Sequence, residues 1–353
     1  DHAAADVRLG RLDDLELQQT VGQKDALAWA DVLRHYGVLQ RYLGIVAHDR
    51  PCREHNLLAR AEPLDRQADG LQGWVRRAYR AAGRIGSRVA NALYGTWLGH
   101  PFHPAVTDIV VGTWTATEVL DALDALSGRH VFARCADASL LTGIGAASVA
   151  VLSGLTEWQH TRAHPRRVGL VHAIANISIT LLQGTSLALR LLGARRAGRA
   201  LSGLSYGVLI ASSYLGGEMV GKYRIGVNHA PVGQVPRQFL PVMAERDLAE
   251  NELRRVDAGG VPVLLVRQGE RIYAMHATCT HLGGPLPQGT LVDGAIQCPW
   301  HGSRFDLETG RVVRGPASFP EQCLATRVRD GQIEVGPPTG LGRCRHEPSR
   351  ATG

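Results

Sequence analysis

The sequence predicts a two-domain chain of the α plus all-β class, an N-terminal four-helix transmembrane bundle followed by a small C-terminal antiparallel β domain. Three observations predict it. Four apolar segments lie between residues 105 and 217, the periodicity changes to alternating strands with turn signals after residue 260, and two short Cys/His pairs stand inside that second region. At 353 residues the chain has room for two or three domains. The organisation expected is an N-terminal helical segment over 1–70, the four-helix membrane domain over 71–230, a linker over 231–248, the β domain over 249–336, and a tail over 337–353 without fixed structure.

Composition narrows the function classes. The net charge of +7 could suggest a nucleic-acid partner, but aromatic residues make up only 5 % and the arginines lie between apolar stretches. They read as membrane-flanking charges, with lipid as the partner and no nucleic acid. Of six cysteines, Cys52, Cys135, Cys323 and Cys344 show no paired spacing and are expected to be free thiols. The first twenty residues carry Asp1, Asp6, Asp13, Asp14 and Glu16 and no apolar core, so no secretory signal is expected there. The absence of an initiator methionine suggests a truncated start.

From Asp25 to Ala47, apolar residues recur at Trp29, Val32, Leu33, Tyr36, Leu39, Leu43 and Val46, the spacing of an amphipathic helix. A second helix is expected over Gly73 to Tyr94, with Trp74, Ala78, Ala82, Ile85, Val89 and Leu93 on one side and five arginines largely outside it, a pattern suited to an anionic membrane surface. The apolar segments follow at 105–126, 139–156, 168–189 and 200–217, and the last three contain no charged side chain. Each approaches the roughly 20 residues that cross a bilayer. They are rich in small residues that allow close helix packing in lipid. The first carries Asp108, Glu118, Asp121 and Asp124, which must face a bundle interior or lie near an end.

With four spans, both ends share one side. That side carries Arg76, Arg77, Arg80, Arg84, Arg88, Arg162, Arg166, Arg167, Lys222, Arg224 and Arg237. The other carries Arg129, Arg134, Arg190, Arg195, Arg196 and Arg199, so the excess places both ends in the cytoplasm. The expected localisation is therefore a multi-pass cell-membrane protein with its β domain cytoplasmic.

His100-Pro101-Phe102-His103-Pro104, Gly154-Leu155-Thr156-Glu157-Trp158, His172 with Asn176, and Gly216-Gly217 resemble a family of small bacterial four-helix membrane proteins with no assigned activity, sometimes joined to an iron–sulfur domain. The resemblance spans about Leu71 to His229 and implies a topology and no reaction. Glu157 stands where members often have Asp, which preserves the acid. His100, His103, Glu157, His172 and Asn176 fall towards one side of that topology and form a candidate second site. They suit mutual helix capping, or ligation of a haem, a metal ion or a quinone head group.

Pro231, Pro236 and Pro241 mark a stiff linker. Val261 to Val266 and Arg271 to His276 then read as strands joined through Gln268-Gly269, with further turn signals at Asp293-Gly294, Thr309-Gly310 and Asp330-Gly331.

The chemistry lies between residues 279 and 305. Cys279-Thr280-His281-Leu282-Gly283-Gly284 and Cys298-Pro299-Trp300-His301-Gly302-Ser303 are separated so that two loops can close over a metal from opposite sides. Zinc could use the same donors, but Cys-x-His is tighter than the usual zinc-finger spacings. The two motifs and their glycines resemble the Rieske family, with the resemblance running from about Asn251 to Val335 and including Gly315-Pro316, which in the family forms a third loop over the cluster. It implies a [2Fe-2S] cluster with Cys279 and Cys298 on one iron and His281 and His301 on the other. It also implies a hydroxyl donor to a cluster sulfide at Ser303. Gly284 and Trp300 stand where the cytochrome bc type has its loop disulfide, a departure that resembles the ferredoxin type, and Phe305 replaces the bc type's tyrosine, so one donor is kept at Ser303 and one is lost.

The expected function is a membrane-anchored carrier of single electrons between a redox partner and the membrane or a second partner, a redox protein or a quinone. A ferredoxin component serving an oxygenase is the alternative, as is a redox sensor coupled to the bundle. An oxygenase subunit itself would need a mononuclear iron domain after the cluster. Only 18 residues follow Val335.

Overall fold

The computed structural model describes residues 63–338, 344, 346 and 347. The helix expected over 25–47 lies outside them. Six helices precede the sheets among the described residues, where one amphipathic helix and four apolar ones are expected. They are α1 (Pro63–Ala81), α2 (Gly83–Tyr94), α3 (Phe102–Ser127), α4 (His130–Trp158), α5 (Ala163–Leu191) and α6 (Arg195–Gly221). The single amphipathic helix expected over Gly73 to Tyr94 is broken into α1 and α2 at Gly83, whose φ of 53° ends the right-handed run.

Helices α3 to α6 contain the four apolar segments and extend them to between 26 and 29 residues. Trp114, Leu140, Ile179 and Leu209 form the centre of their core. The acids of α3 are accommodated by pairing. Asp121 takes Arg190 on both carboxylate oxygens, at 2.9 and 2.5 Å, and Arg199 at 3.2 Å. Asp124 pairs with Arg199, Asp137 with Arg195, and Glu118 accepts from Ser202. Asp108, by contrast, is exposed. At the other end, Asp65 of α1 is clamped by Arg166 and Arg167 of α5.

The strands of the C-terminal part pair antiparallel, apart from the short parallel pairing of the last strand. Strands β1 (Leu240–Ala244), β2 (Leu253–Asp257), β3 (Pro262–Gln268), β4 (Arg271–His276), β9 (Cys323–Arg329) and β10 (Gln332–Pro338) form one sheet in the order β1-β10-β9-β4-β3-β2, with β11 (His346–Glu347) added parallel to β9. Between β4 and β9 the chain builds a smaller sheet from β5 (Thr290–Val292), β6 (Ala295–Gln297), β7 (Arg304–Asp306) and β8 (Val312–Arg314), in sequence order. Alternation places Val263, Leu265, Ile272 and Ala274 in one core, and Leu264, Val266, Tyr273 and Met275 in the other, beneath the small sheet.

Three expectations are corrected here. Part of the expected linker is β1, which pairs with β10. Within the expected unstructured tail, His346 and Glu347 pair with β9. Cys323 and Cys344, expected to be free, form a disulfide. Their 21-residue separation carries no spacing signal, because β11 brings the tail back to β9 through tertiary pairing.

Candidate metal centre

The two ligand loops, residues 279–284 between β4 and β5 and residues 298–303 between β6 and β7, are closed in the same way. Cys279 N–H donates to Gly284 O at 2.8 Å and Gly283 N–H to Cys279 O at 3.0 Å. Cys298 N–H donates to Ser303 O at 2.8 Å and Gly302 N–H to Cys298 O at 3.1 Å. Gly283 and Gly302 occupy equivalent places with φ of 77° and 76°, a turn that a side chain would strain. Gly284 meets a second constraint, since a Cβ there would lie 2.7 Å from Cys298 Sγ. With Gly284 and Trp300 at the two positions, no disulfide can join the two loops.

The loops bring the four donors together as two like pairs. The Cys279 and Cys298 thiols are buried and hydrogen-bonded to each other, a contact that raises the pKa of Cys279 and lowers that of Cys298. The His281 and His301 rings stand edge to face with centroids 5.1 Å apart. Burial pushes both imidazoles towards the neutral form that ligates metal. Two pairs of donors are what two irons need.

Two buried groups remain without a protein partner for their chemistry. His281 Nδ1 has none. Ser303 is fully buried and its Oγ accepts Ala317 N–H at 2.9 Å, leaving its own proton for an acceptor that no described protein atom supplies. Thiols facing thiols, imidazoles facing imidazoles, an orphan ring nitrogen and an uncommitted hydroxyl proton together fit a [2Fe-2S] group.

Residues other than the four donors surround the centre. Glu321 is buried beneath the first loop, accepts Thr280 N–H at 2.8 Å on Oε1 and leaves Oε2 unpartnered; burial raises its pKa well above the carboxylate range. The helical part reaches the imidazoles directly. His160, in the α4–α5 loop, stands edge-on to His281 at 5.5 Å and to His301 at 5.4 Å. Its Nε2 is bound to the Tyr94 hydroxyl at 2.7 Å, which in turn accepts from Gln159. Burial pushes His160 down to about 3 and Tyr94 upwards, so a protonated phenol donates to a neutral imidazole. The Tyr94 ring packs on Gly315 of the third loop, and Asn91 accepts Gly315 N–H at 3.0 Å. Helices and sheets belong to the same compact unit, Leu58–Gly353.

The candidate second site is only partly assembled. His103, Glu157, His172 and Asn176 line one cavity between the long helices. His100 does not join them; its ring lies against Phe319 at 5.5 Å. His103 and His172 each engage a backbone carbonyl through Nδ1, Ala150 at 2.9 Å and Ser212 at 3.0 Å, and Asn176 meets His172 Nε2 at 3.2 Å.

Fold and donors define an iron–sulfur electron-carrier domain of the Rieske class. Residues 238–326 match the Rieske [2Fe-2S] domain, and the chain belongs to that family. Residues 99–229 match a second family, described as Predicted membrane protein (DUF2231). The chain is 35 % identical over 98 residues to Ferredoxin CarAc of Metapseudomonas resinovorans, covering 28 % of this chain and 92 % of that one. It is 34 % identical over 98 residues to the anthranilate 1,2-dioxygenase ferredoxin subunit of Burkholderia cepacia, covering 28 % and 91 %. To the cytochrome b6-f complex iron-sulfur subunit of Nostoc punctiforme it is 35 % identical over 97 residues, covering 27 % and 53 %.

Proposed function

We propose that Cys279 and Cys298 hold one iron and His281 and His301 the other iron of a [2Fe-2S] cluster, and that the chain carries single electrons between a redox partner and the membrane or a second partner. The observation that carries this reading is the like-with-like pairing of the four donors in two equivalently closed loops. The group supplies reversible one-electron chemistry, and neutral imidazoles on one iron make reduction easier than four thiolates would. Ser303 offers its hydroxyl proton to a sulfide. Purified protein, expressed with adequate iron, is expected to contain two irons and two acid-labile sulfides per chain. Stoichiometric zinc in their place would overturn the assignment.

We read α3 to α6 as four membrane spans. At 26 to 29 residues they measure about 40 Å, more than the roughly 30 Å hydrocarbon layer. Two of them, α4 and α5, are long and apolar enough by composition alone. What supports the other two is inside-out polarity. On these two helices Val119, Leu126, Leu204 and Ile210 face outwards, whereas Thr117, Ser202 and Ser205 are fully buried. Asp121, Asp124 and Asp137 are paired inwards, and exposed Asp108 lies near one end of α3.

The arginine excess supports placing the Rieske domain in the cytoplasm. Reporters inserted between Ser127 and Asp137 should then read as outside. The disulfide between Cys323 and Cys344 argues the other way, since a reducing cytoplasm would hold them as thiols. Alkylation in intact cells that finds them already bonded would move the domain to the other face.

A ferredoxin-like exchange with a soluble protein, such as an oxygenase, is favoured by one observation. Trp300, adjacent to His301, is 55 % exposed and offers an aromatic contact point on the outer side of the centre.

A further inference from the structure

The electron-carrier reading does not say where a protein partner meets the centre. The helical part covers one edge of the imidazoles, with His160 edge-on to both rings at 5.5 and 5.4 Å. Trp300 marks the open side, since it is exposed and its ring lies 6.4 Å from that of His301. Positive charge gathers beside it from both parts of the chain. Arg304 and Arg314 are cross-strand partners on β7 and β8. Asn91 of α2 brackets Arg314, donating to Val313 O at 3.5 Å and accepting Gly315 N–H at 3.0 Å. Arg84 and Arg88 stand at i, i+4, i+7 spacing with Asn91 and so share its lane of the helix. Arg162 is exposed in the same α4–α5 loop as His160.

None of these five guanidinium groups has a carboxylate within ion-pair distance among the described residues. The arginines inside the bundle, by contrast, are paired, Arg190 with Asp121, Arg195 with Asp137 and Arg199 with Asp124. Like charges gathered without counter-charges repel one another, so an acidic surface laid over them is both attracted and oriented. Lipid matches a different lane of α2. Ile85 and Val89 are the exposed apolar residues there, about 100° round the helix from the arginines, whose lane turns towards the third loop of the β domain.

We propose that Arg84, Arg88 and Arg162 of the helical part and Arg304 and Arg314 of the β domain form, together with Trp300, one composite docking surface for an acidic one-electron carrier protein. The inference rests on the electron-carrier reading and gives the helical part a share in partner recognition. One electron passes between the partner's redox group and the cluster, one being oxidised as the other is reduced, and no bond is made or broken.

Stopped-flow reduction of the oxidised cluster tests this in full-length protein in detergent, with two reductants. One is flavodoxin hydroquinone, an acidic protein, and the other is the methyl viologen radical, a small cation. The flavodoxin rate should fall with added salt. It should fall about tenfold in the triple variant Arg84→Gln, Arg88→Gln, Arg162→Gln, whose changes all lie in the helical part, and about threefold in Arg314→Gln. The viologen rate should fall in neither. Arg329→Gln, at the far end of β9, should leave both rates unchanged. Equal flavodoxin rates in wild type and both variants, or a parallel loss with both reductants, overturns the docking surface and leaves the carrier standing. Phosphatidylglycerol retained by wild type and lost from the triple variant in native mass spectrometry also overturns it, because the arginines would then belong to lipid. Absence of the cluster absorbance from wild type overturns the carrier reading and the docking surface with it.

Discussion

Ser303→Ala removes one oxygen and should produce two separable effects. The hydroxyl is fully buried, accepts Ala317 N–H at 2.9 Å, and has no described protein acceptor for its own proton. If that proton is directed to a cluster sulfide, it stabilises the reduced state, which carries the extra negative charge. A hydrogen bond to a charged group contributes about 1.5–3 kcal/mol. Both oxidation states receive it, so only the difference, about 1 kcal/mol, acts on the potential. At 59 mV for each 1.4 kcal/mol in a one-electron couple, the alanine variant should lie about 40 mV lower. It also orphans the N–H of Ala317, which is 1 % exposed, and should cost about 1–3 kcal/mol of stability. A redox titration by absorbance, with thermal unfolding on the same preparation, reads both. A stability loss with no change in potential would refute the argument, because it would leave Ser303 as a backbone clamp only.

Other perturbations test the surroundings. His160→Ala takes away the edge contact with both imidazoles and is expected to shift the reduction potential and the electron paramagnetic resonance of the reduced protein, whereas Tyr94→Phe, which only frees His160 to tilt, should shift them less; equal spectra for all three would mean that the helical part does not touch the centre. Arg190→Leu removes a fully buried guanidinium from Asp121 but leaves Arg199 at 3.2 Å, so the cost should fall near the lower end of the range for breaking a buried pair, about 3 kcal/mol, and Asp121→Asn in the same chain should recover part of it. Glu321 has its folded pKa raised by burial, so its ionisation costs stability progressively as pH rises above the ordinary value of 4.5. Glu321→Gln keeps an acceptor for Thr280 N–H, and its melting temperature should exceed that of wild type at neutral pH and converge with it at acid pH; a constant difference across pH would contradict this.

What the sequence revealed was local. The Cys-x-His and Cys-x-x-His pairs announced the donors because each loop closes on itself within six residues, through hydrogen bonds that need only a glycine at the right place. Apolar runs announced α3 to α6 because helices bury or expose whole faces. The features that went unseen join residues far apart in the chain. His160 meets His281 across 121 positions, Asn91 meets Gly315 across 224, and neither pair leaves a periodic trace. The Cys323–Cys344 bond was missed for the same reason, since β11 returns to β9 by tertiary pairing alone. The buried acids of α3 were flagged as a conflict with a span, and the guanidinium groups that resolve it come from α5 and α6.

The ligand assignment is tested most directly by growing cells on histidine labelled with the heavy nitrogen isotope and recording hyperfine spectra of the reduced full-length protein. Two strongly coupled imidazole nitrogens are expected in wild type, with the coupling from one of them lost in His281→Cys and again in His301→Cys. A reduced cluster with no histidine nitrogen coupled to it would contradict the assignment of His281 and His301 as iron ligands.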